Sequence, residues 1–126
     1  MKPLLISFLI LASLFIAGSM NYRTITHLSD SINAQLTLSA QAAQEEQWEE
    51  ADAALQRANE IWDEHEAYLH IMVTHEELDT AEEILFEVRQ YAQQRDRENY
   101  CSSARRLCMQ MDHLKDTQRV SLQNIL

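Results

Sequence analysis

Between Met20 and Leu126 the chain contains neither glycine nor proline. Its single proline, Pro3, and its single glycine, Gly18, both lie in the N-terminal stretch. Folds rich in β-strands need these residues at their turns, so a run this long without them predicts helices joined by short polar connections. The good helix formers Glu, Gln, Ala, Leu and Arg dominate the same region. At 126 residues the chain is predicted to be all-α, with room for one small core.

The segment Leu4–Met20 is seventeen residues without a charge. As a helix it would be about 25 Å long, just under the ~30 Å thickness of the hydrocarbon core of a bilayer. We predict a retained membrane anchor, or uncleaved signal, in residues 1–21. The alternative is a secretory signal peptide cleaved near residues 17–19, where small residues stand. The anchor is favoured because the apolar run is long for a signal peptide and the helical pattern continues beyond Asn21.

The flanking charges predict an orientation. Lys2 and the terminal amine precede the apolar segment, and only Arg23 follows it closely. Since positive charges stay on the cytoplasmic side, the N-terminus is predicted to be cytoplasmic and residues 22–126 extracytoplasmic. The predicted location is therefore the cell membrane, with a single pass through residues 4–20.

Apolar residues recur every three or four positions beyond the anchor, which is the spacing of packed helices. In the first segment, predicted to continue the membrane helix, they are Ile25, Leu28, Ile32, Leu36 and Ala42. In the second they are Trp48, Ala51, Leu55, Ala58, Trp62, His65, Leu69 and Met72. In the third they are Leu78, Ala81, Leu85, Val88 and Ala92. In the fourth they are Tyr100, Ala104, Leu107, Met111 and Leu114.

These four segments predict an N-terminal transmembrane helix that continues into a small antiparallel three- or four-helix bundle, within residues 22–126. The third helix is predicted to start near Thr74, because Thr74 and Glu77 have the capping-box spacing. Residues 93–98 form a polar break before the fourth helix. The second and third segments form either two helices or one kinked helix.

The net charge of −10 argues against a nucleic-acid partner, because there is no basic face to neutralise phosphates. The charge is unevenly placed. Fifteen acidic residues and one basic residue, Arg57, lie between Glu45 and Glu87, whereas seven Arg or Lys and four Asp or Glu follow from Val88 onward. The pattern fits two solvated surfaces of opposite sign on neighbouring helices, or an acidic face for a cationic partner or Ca²⁺.

Three histidines, His65, His70 and His75, stand at intervals of five residues. Ligands on one face of a helix need spacings of three or four, and five residues advance about 500°, so the three cannot share a face. The HExxH and Glu-x-x-His metal motifs are missing. The spacing rule singles out His75 with Asp79 as a weak metal candidate, and the alternative is a hydrogen bond on the helix surface.

Cys101 and Cys108 are seven residues apart on the fourth helix. Their Cα atoms would be about 10.5 Å apart, beyond the ~7 Å limit for a disulfide. They are therefore predicted not to pair with each other while the helix is intact. Buried thiols are favoured, and a link to another chain is the alternative.

No nucleophile or nucleotide-loop motif accompanies the Ser, Thr, Cys and His residues. The protein is predicted not to be an enzyme, with no catalytic residues and no cofactor.

The C-terminal residues 121–126 are apolar for an exposed tail. They are predicted to fold back over the end of the bundle, or alternatively to dock on a membrane partner. The candidate partner-binding residues are Trp48, Trp62, Leu122, Ile125 and Leu126.

Several features together resemble one known family. They are the N-terminal apolar helix, Trp48 and Trp62 around an Ala-rich helix, residues 75–79 (HEELD) and residues 121–126 (SLQNIL). The family is an uncharacterised group of small single-pass membrane proteins of spore-forming anaerobic bacteria, classified as a domain of unknown function. The resemblance spans nearly the whole chain. It implies a membrane-anchored helical protein and supplies no activity, ligand or catalytic residue.

The leading hypothesis is a membrane-tethered extracytoplasmic bundle that binds another membrane or envelope protein. The alternative is a helical domain that senses a ligand or metal ion through its acidic middle helices. The oligomeric state is left open by the sequence.

Overall fold

The computed structural model describes residues 1–125, and side chains as far as Asn124. Within this range the chain forms four α-helices and no strand: α1 (Lys2–Gln44), α2 (Trp48–Met72), α3 (His75–Gln94) and α4 (Arg97–Ile125). The predicted all-α fold class is confirmed. The apolar segment continues without a break into the first helix of the bundle, as predicted.

The helices are antiparallel to their neighbours in chain order. α1 packs extensively against both α2 and α4, whereas α3 packs mainly against α4 and only slightly against α2. Hydrogen bonds fix the register: Ser39 near one end of α1 bonds to Ala51 of α2, and Asn21 bonds to Tyr68 further along α2. We call the end near Asn21 the proximal end of the bundle, because it adjoins the apolar segment, and the opposite end the distal end.

The predicted apolar stripes of the first, third and fourth segments are buried throughout. The second stripe is buried except at Trp48 and His65, which are half-buried, and at Met72, which is 45% exposed. The assignment of Met72 to the core is wrong. The helix ends at Met72, and the extended backbone of Val73 (φ −119°, ψ 148°) places the Val73 side chain in the core instead.

α2 and α3 are two separate helices, which decides between the two alternatives that the sequence left open. Thr74 is the N-cap of α3, and its hydroxyl oxygen accepts a hydrogen bond from the Glu77 backbone N–H at 3.4 Å. This bond satisfies one of the unpaired amides at the helix start. The start predicted from the Thr74 and Glu77 spacing is confirmed.

The two turns at the distal end are built without glycine. Glu46 (φ 60°) follows α1 and Arg95 (φ 56°) follows α3, and both adopt the left-handed conformation. After α1, the backbone N–H of Gln47 donates to the Ala42 carbonyl at 2.9 Å and that of Glu46 to the Ala43 carbonyl at 3.0 Å. These paired bonds are those of a Schellman motif, in which glycine usually takes the left-handed position.

Two serines on the inner face of α1 tie it to its neighbours. Ser29 donates a hydrogen bond to the Met111 carbonyl of α4 at 3.1 Å, and Ser39 donates to the Ala51 carbonyl of α2 at 2.6 Å. Both serines are fully buried. Because buried polar groups must be paired, these bonds favour one register of α1 against α2 and α4.

The apolar half of α1 stands apart from this core. The large side chains of Leu4–Met20 are exposed along their whole length. Among the described residues, α1 is the one helix long and apolar enough to cross a membrane, and a signal sequence would pass the same test. The structure thus has one apolar N-terminal helix suited to a single span or signal anchor. Its orientation and its retention stay predictions.

Candidate functional site

The two tryptophans proposed as partner-binding residues make internal contacts. Trp62 is 6% exposed and lies in the core. Trp48 is half-buried at the distal end, edge-on to Tyr100 with 5.7 Å between ring centroids. The guanidinium of Arg95 lies 5.2 Å from the Trp48 ring centroid, and Arg95 also pairs with Asp52 at 2.8 Å. Both tryptophans therefore have a structural role in the bundle.

The C-terminal segment continues α4 instead of folding back over the bundle end, which corrects that interpretation. The segment contains no helix breaker, and α4 continues as a helix to Ile125. Leu122 is half-buried on this part of α4. The side chain of Ile125 and the whole of Leu126 lie outside the described residues.

A polar junction marks the proximal end. The side-chain amide of Asn21 donates to the Gln118 side-chain oxygen at 2.7 Å, and the Asn21 oxygen accepts a hydrogen bond from the Tyr68 hydroxyl. One residue of α1 thereby joins α2 and α4 immediately after Met20. The junction fixes the position along α1 at which the bundle begins, directly after the apolar segment.

The structure brings together a histidine and two carboxylates between α2 and α3. The Nε2 atom of His70 lies 3.6 Å from Glu66 Oε1 and 3.8 Å from Glu82 Oε1. The potential ligand atoms of the three residues all lie within 4.8 Å of one another. One imidazole nitrogen and two carboxylate oxygens form a ligand set that suits a divalent cation such as Zn²⁺. Glu66 and His70 are exposed, and Glu82 is half-buried.

The candidate pair His75 and Asp79 does not belong to this cluster. The His75 ring lies near it, with 6.3 Å between the His70 and His75 ring centroids, and Asp79 is exposed one turn further along α3. Glu66 and His70 are four residues apart, so the same spacing rule could have found them. Glu82 could not be found in this way, because it reaches His70 only through the packing of α3 on α2.

The outward surface of α3 is acidic and has one aromatic residue at its centre. Phe86 is 57% exposed and lies among the carboxylates of Asp79, Glu82, Glu83 and Glu87. We call this surface the α3 acidic face. One of these carboxylates, that of Glu87, pairs with Arg106 of the neighbouring basic helix α4 at 2.7 Å. The two helices are thus neighbours of opposite charge, the first of the two arrangements that the sequence suggested.

Cys101 and Cys108 are free and partly buried, and they stand seven residues apart on the unbroken helix α4, the geometry on which the prediction that they do not pair depends. Both line a groove between α1 and α4, and the Cys101 thiol lies 3.6 Å from the Ala40 carbonyl. Burial raises the pKa of both thiols. They therefore stay protonated at neutral pH, which makes them weak nucleophiles.

These features define a class of protein: a small antiparallel four-helix bundle carried on a long helix whose N-terminal half is apolar and exposed. A family model described as "Domain of unknown function (DUF4363)" matches residues 19–125, and the chain belongs to that family. The resemblance to an uncharacterised family is confirmed, whereas the membrane setting and bacterial source that it implied stay predictions. No curated protein and no solved structure matches the chain.

Proposed function

We propose that the protein is a membrane-anchored interaction protein without catalytic activity, which binds a cationic segment of another membrane or envelope protein. The observation that carries the proposal is the α3 acidic face, where the exposed side chain of Phe86 is surrounded by carboxylates. Phe86 is exposed although α3 packs mainly against α4, to which one carboxylate of the face, that of Glu87, is paired.

The chemistry of this face sets the kind of partner. Aromatic side chains are enriched at interface centres, where they supply a large contact area. The surrounding carboxylates would steer a positively charged partner and repel an acidic one. Within the described chain, Asp79 and Glu83 take part in no ion pair, so their charge is available to a partner. A basic segment that also carries an apolar side chain fits these requirements.

The anchor supports the same function. Tethering the bundle by α1 confines it to the membrane surface, which raises its effective concentration toward other membrane proteins. A modest affinity of the α3 acidic face would then suffice for binding. The predicted extracytoplasmic orientation places the partner on that side of the membrane.

Co-purification of the full-length tagged chain after gentle detergent extraction tests the proposal. A specific partner should be recovered with the wild-type chain and lost with Phe86→Ala. Met109→Ala is the matched control, because Met109 is a comparably exposed apolar residue on α4. Recovery should fall as salt is raised, since exposed charges are screened. Recovery of the monomer alone would overturn the proposal.

A second candidate function is the sensing of a divalent cation at Glu66, His70 and Glu82. Their arrangement between α2 and α3 favours it, because a bound ion would tie the two most loosely packed neighbouring helices together. Calorimetry of the full chain in detergent with Zn²⁺ and with Ca²⁺ tests it. Binding heat and a higher melting temperature should be lost with His70→Asn and retained with His27→Asn, an exposed position on α1. Absence of both effects in the wild type excludes this function.

A further inference from the structure

We propose that the proximal end of the bundle seats on the lipid bilayer through an apolar collar around α1. The collar consists of Met20, Ile71, Met72, Val120 and Leu122. The inference rests on the proposed membrane anchoring and adds a second contact with lipid, made by the ends of α2 and α4. Ile71 is 79% exposed and Val120 is 51% exposed, although each lies beside an otherwise packed helix end.

The collar residues lie at one height along α1. Tyr68 of α2 and Gln118 of α4 both bond to Asn21. Both helices run antiparallel to α1, so residues beyond these two extend toward the apolar segment. At 1.5 Å per residue, Ile71 lies about 4.5 Å and Val120 about 3 Å past the level of Asn21. The collar is therefore level with the end of the apolar segment.

The continuity of α1 holds the collar against the bilayer. The helix passes from the apolar segment into the bundle without a linker, so the bundle cannot move away from the surface that the segment enters. The apolar run of about 25 Å is also shorter than the ~30 Å hydrocarbon core. A short span is accommodated by drawing its flanking residues into the interface, which brings the collar to the level of the headgroups.

The residues behind the collar suit the water–lipid interface. The aromatic rings of Tyr22 and Tyr68 lie at the level of Asn21, and tyrosine is enriched where membrane meets water. The charged groups nearby are of both signs. Arg23 and Arg119 lie on α1 and α4, while acidic residues accompany the histidines at the turn between α2 and α3. A neutral, zwitterionic lipid surface is therefore the expected partner, with no requirement for anionic lipid.

Spin labelling of the full chain in phosphatidylcholine vesicles tests the collar. In a Cys101→Ala, Cys108→Ala background, a nitroxide is attached after Ile71→Cys or Val120→Cys, and its collisions with oxygen and with a water-soluble nickel chelate are measured. The matched control is Phe86→Cys, an exposed apolar position far from the collar. A further label after Leu11→Cys reports on the anchor itself.

We expect the labels at positions 71 and 120 to be shielded from the nickel chelate and to lie within about 5–10 Å of the headgroup boundary, as interfacial residues do. The label at position 86 should be fully accessible to the chelate. Equal accessibility at positions 71, 120 and 86, with the label at position 11 immersed in lipid, would overturn the collar while leaving the anchor intact. An accessible label at position 11 would overturn the anchor and the collar together.

Discussion

The hydroxyl group of Tyr100 on α4 donates a hydrogen bond to the hydroxyl group of Ser39 on α1, in the interior of the bundle. The direction follows from Ser39, whose single hydroxyl proton is donated to the Ala51 carbonyl of α2. Tyr100 and Ser39 are both fully buried. Two hydrogen bonds in series thus connect three helices. The loss of Ser39, the middle residue, should therefore weaken the packing of α1, α2 and α4 together.

Ser39→Ala should destabilise the bundle by about 1–3 kcal/mol, the cost of leaving a buried hydroxyl without a partner. The unpaired group is the Tyr100 hydroxyl. Chemical unfolding of the full chain in detergent, followed by circular dichroism, measures the free energy of unfolding. The double variant Ser39→Ala, Tyr100→Phe removes both hydroxyls and should cost less than the sum of the single variants. Additive costs would contradict the link between the two residues.

Stability should fall in alkaline solution because of Tyr100. Burial raises the pKa of Tyr100 to about 12, whereas the pKa of an unfolded tyrosine is about 10. Between these values the folded state keeps the proton and the unfolded state releases it, so the free energy of unfolding decreases by about 1.4 kcal/mol per pH unit. The contribution is complete below pH 10 and lost above pH 12.

Tyr100→Phe should flatten this pH dependence. Cys101 and Cys108, whose pKa values are also raised, act equally in both proteins, so the difference between the two unfolding curves isolates Tyr100. The measurement is the melting temperature of each protein between pH 8 and 12. Parallel curves across this range would show that the Tyr100 hydroxyl does not carry the effect.

Glu46→Gly should stabilise the protein by about 1 kcal/mol, because glycine adopts the left-handed conformation without the steric cost paid by a residue with a Cβ atom. The substitution also removes the ion pair between Glu46 and Arg97. Its loss costs little, because the pair is exposed and its two charged groups lie 4.0 Å apart. Glu45→Gly is the matched control. Glu45 has φ −92°, so it carries no left-handed strain. Glycine at this position only increases the freedom of the unfolded chain and should therefore destabilise the protein. The two melting temperatures should move in opposite directions.

Asn21→Ala should loosen the proximal end while leaving the distal end unchanged. The substitution leaves the Tyr68 hydroxyl and the Gln118 side chain without their shared partner. These groups are only partly buried, so we expect a cost near the lower end of the 1–3 kcal/mol range. Hydrogen exchange should accelerate in residues 66–72 and 116–122. Uniform acceleration over all four helices would indicate a global loss of stability instead.

The spacing of apolar residues was sufficient to predict the four helices and most of the core. Leu36, Leu78 and Leu107 are buried as predicted, because helical periodicity requires no knowledge of the partner helix. The cap at Thr74 was also predictable, since capping depends on residues three apart. These features are all local in the chain.

The features that could not be predicted depend on tertiary geometry. The left-handed conformations of Glu46 and Arg95 could not be predicted, because neither Glu nor Arg favours that conformation. The polar break at residues 93–98 indicates where α3 ends but not how the backbone reverses there. The meeting of His70 with Glu82 depends on how α3 is rotated against α2, which the two extended residues Val73 and Thr74 determine. The exposure of Phe86 depends on which helices pack against α3, and this too is decided by the tertiary structure.

Because α1 is unbroken, any tilt of its apolar half displaces the distal end of the bundle. Its 43 residues form a rod of about 64 Å, and the arm from Met20 to Gln44 is about 36 Å long. With the apolar half seated in a bilayer, every 10° of tilt would swing the distal turns sideways by about 6 Å. The tilt of a span is set by its packing against neighbouring helices and by its interfacial anchors. A partner helix that packed against the apolar half and changed its tilt would therefore also change the position of the outermost residues of the bundle.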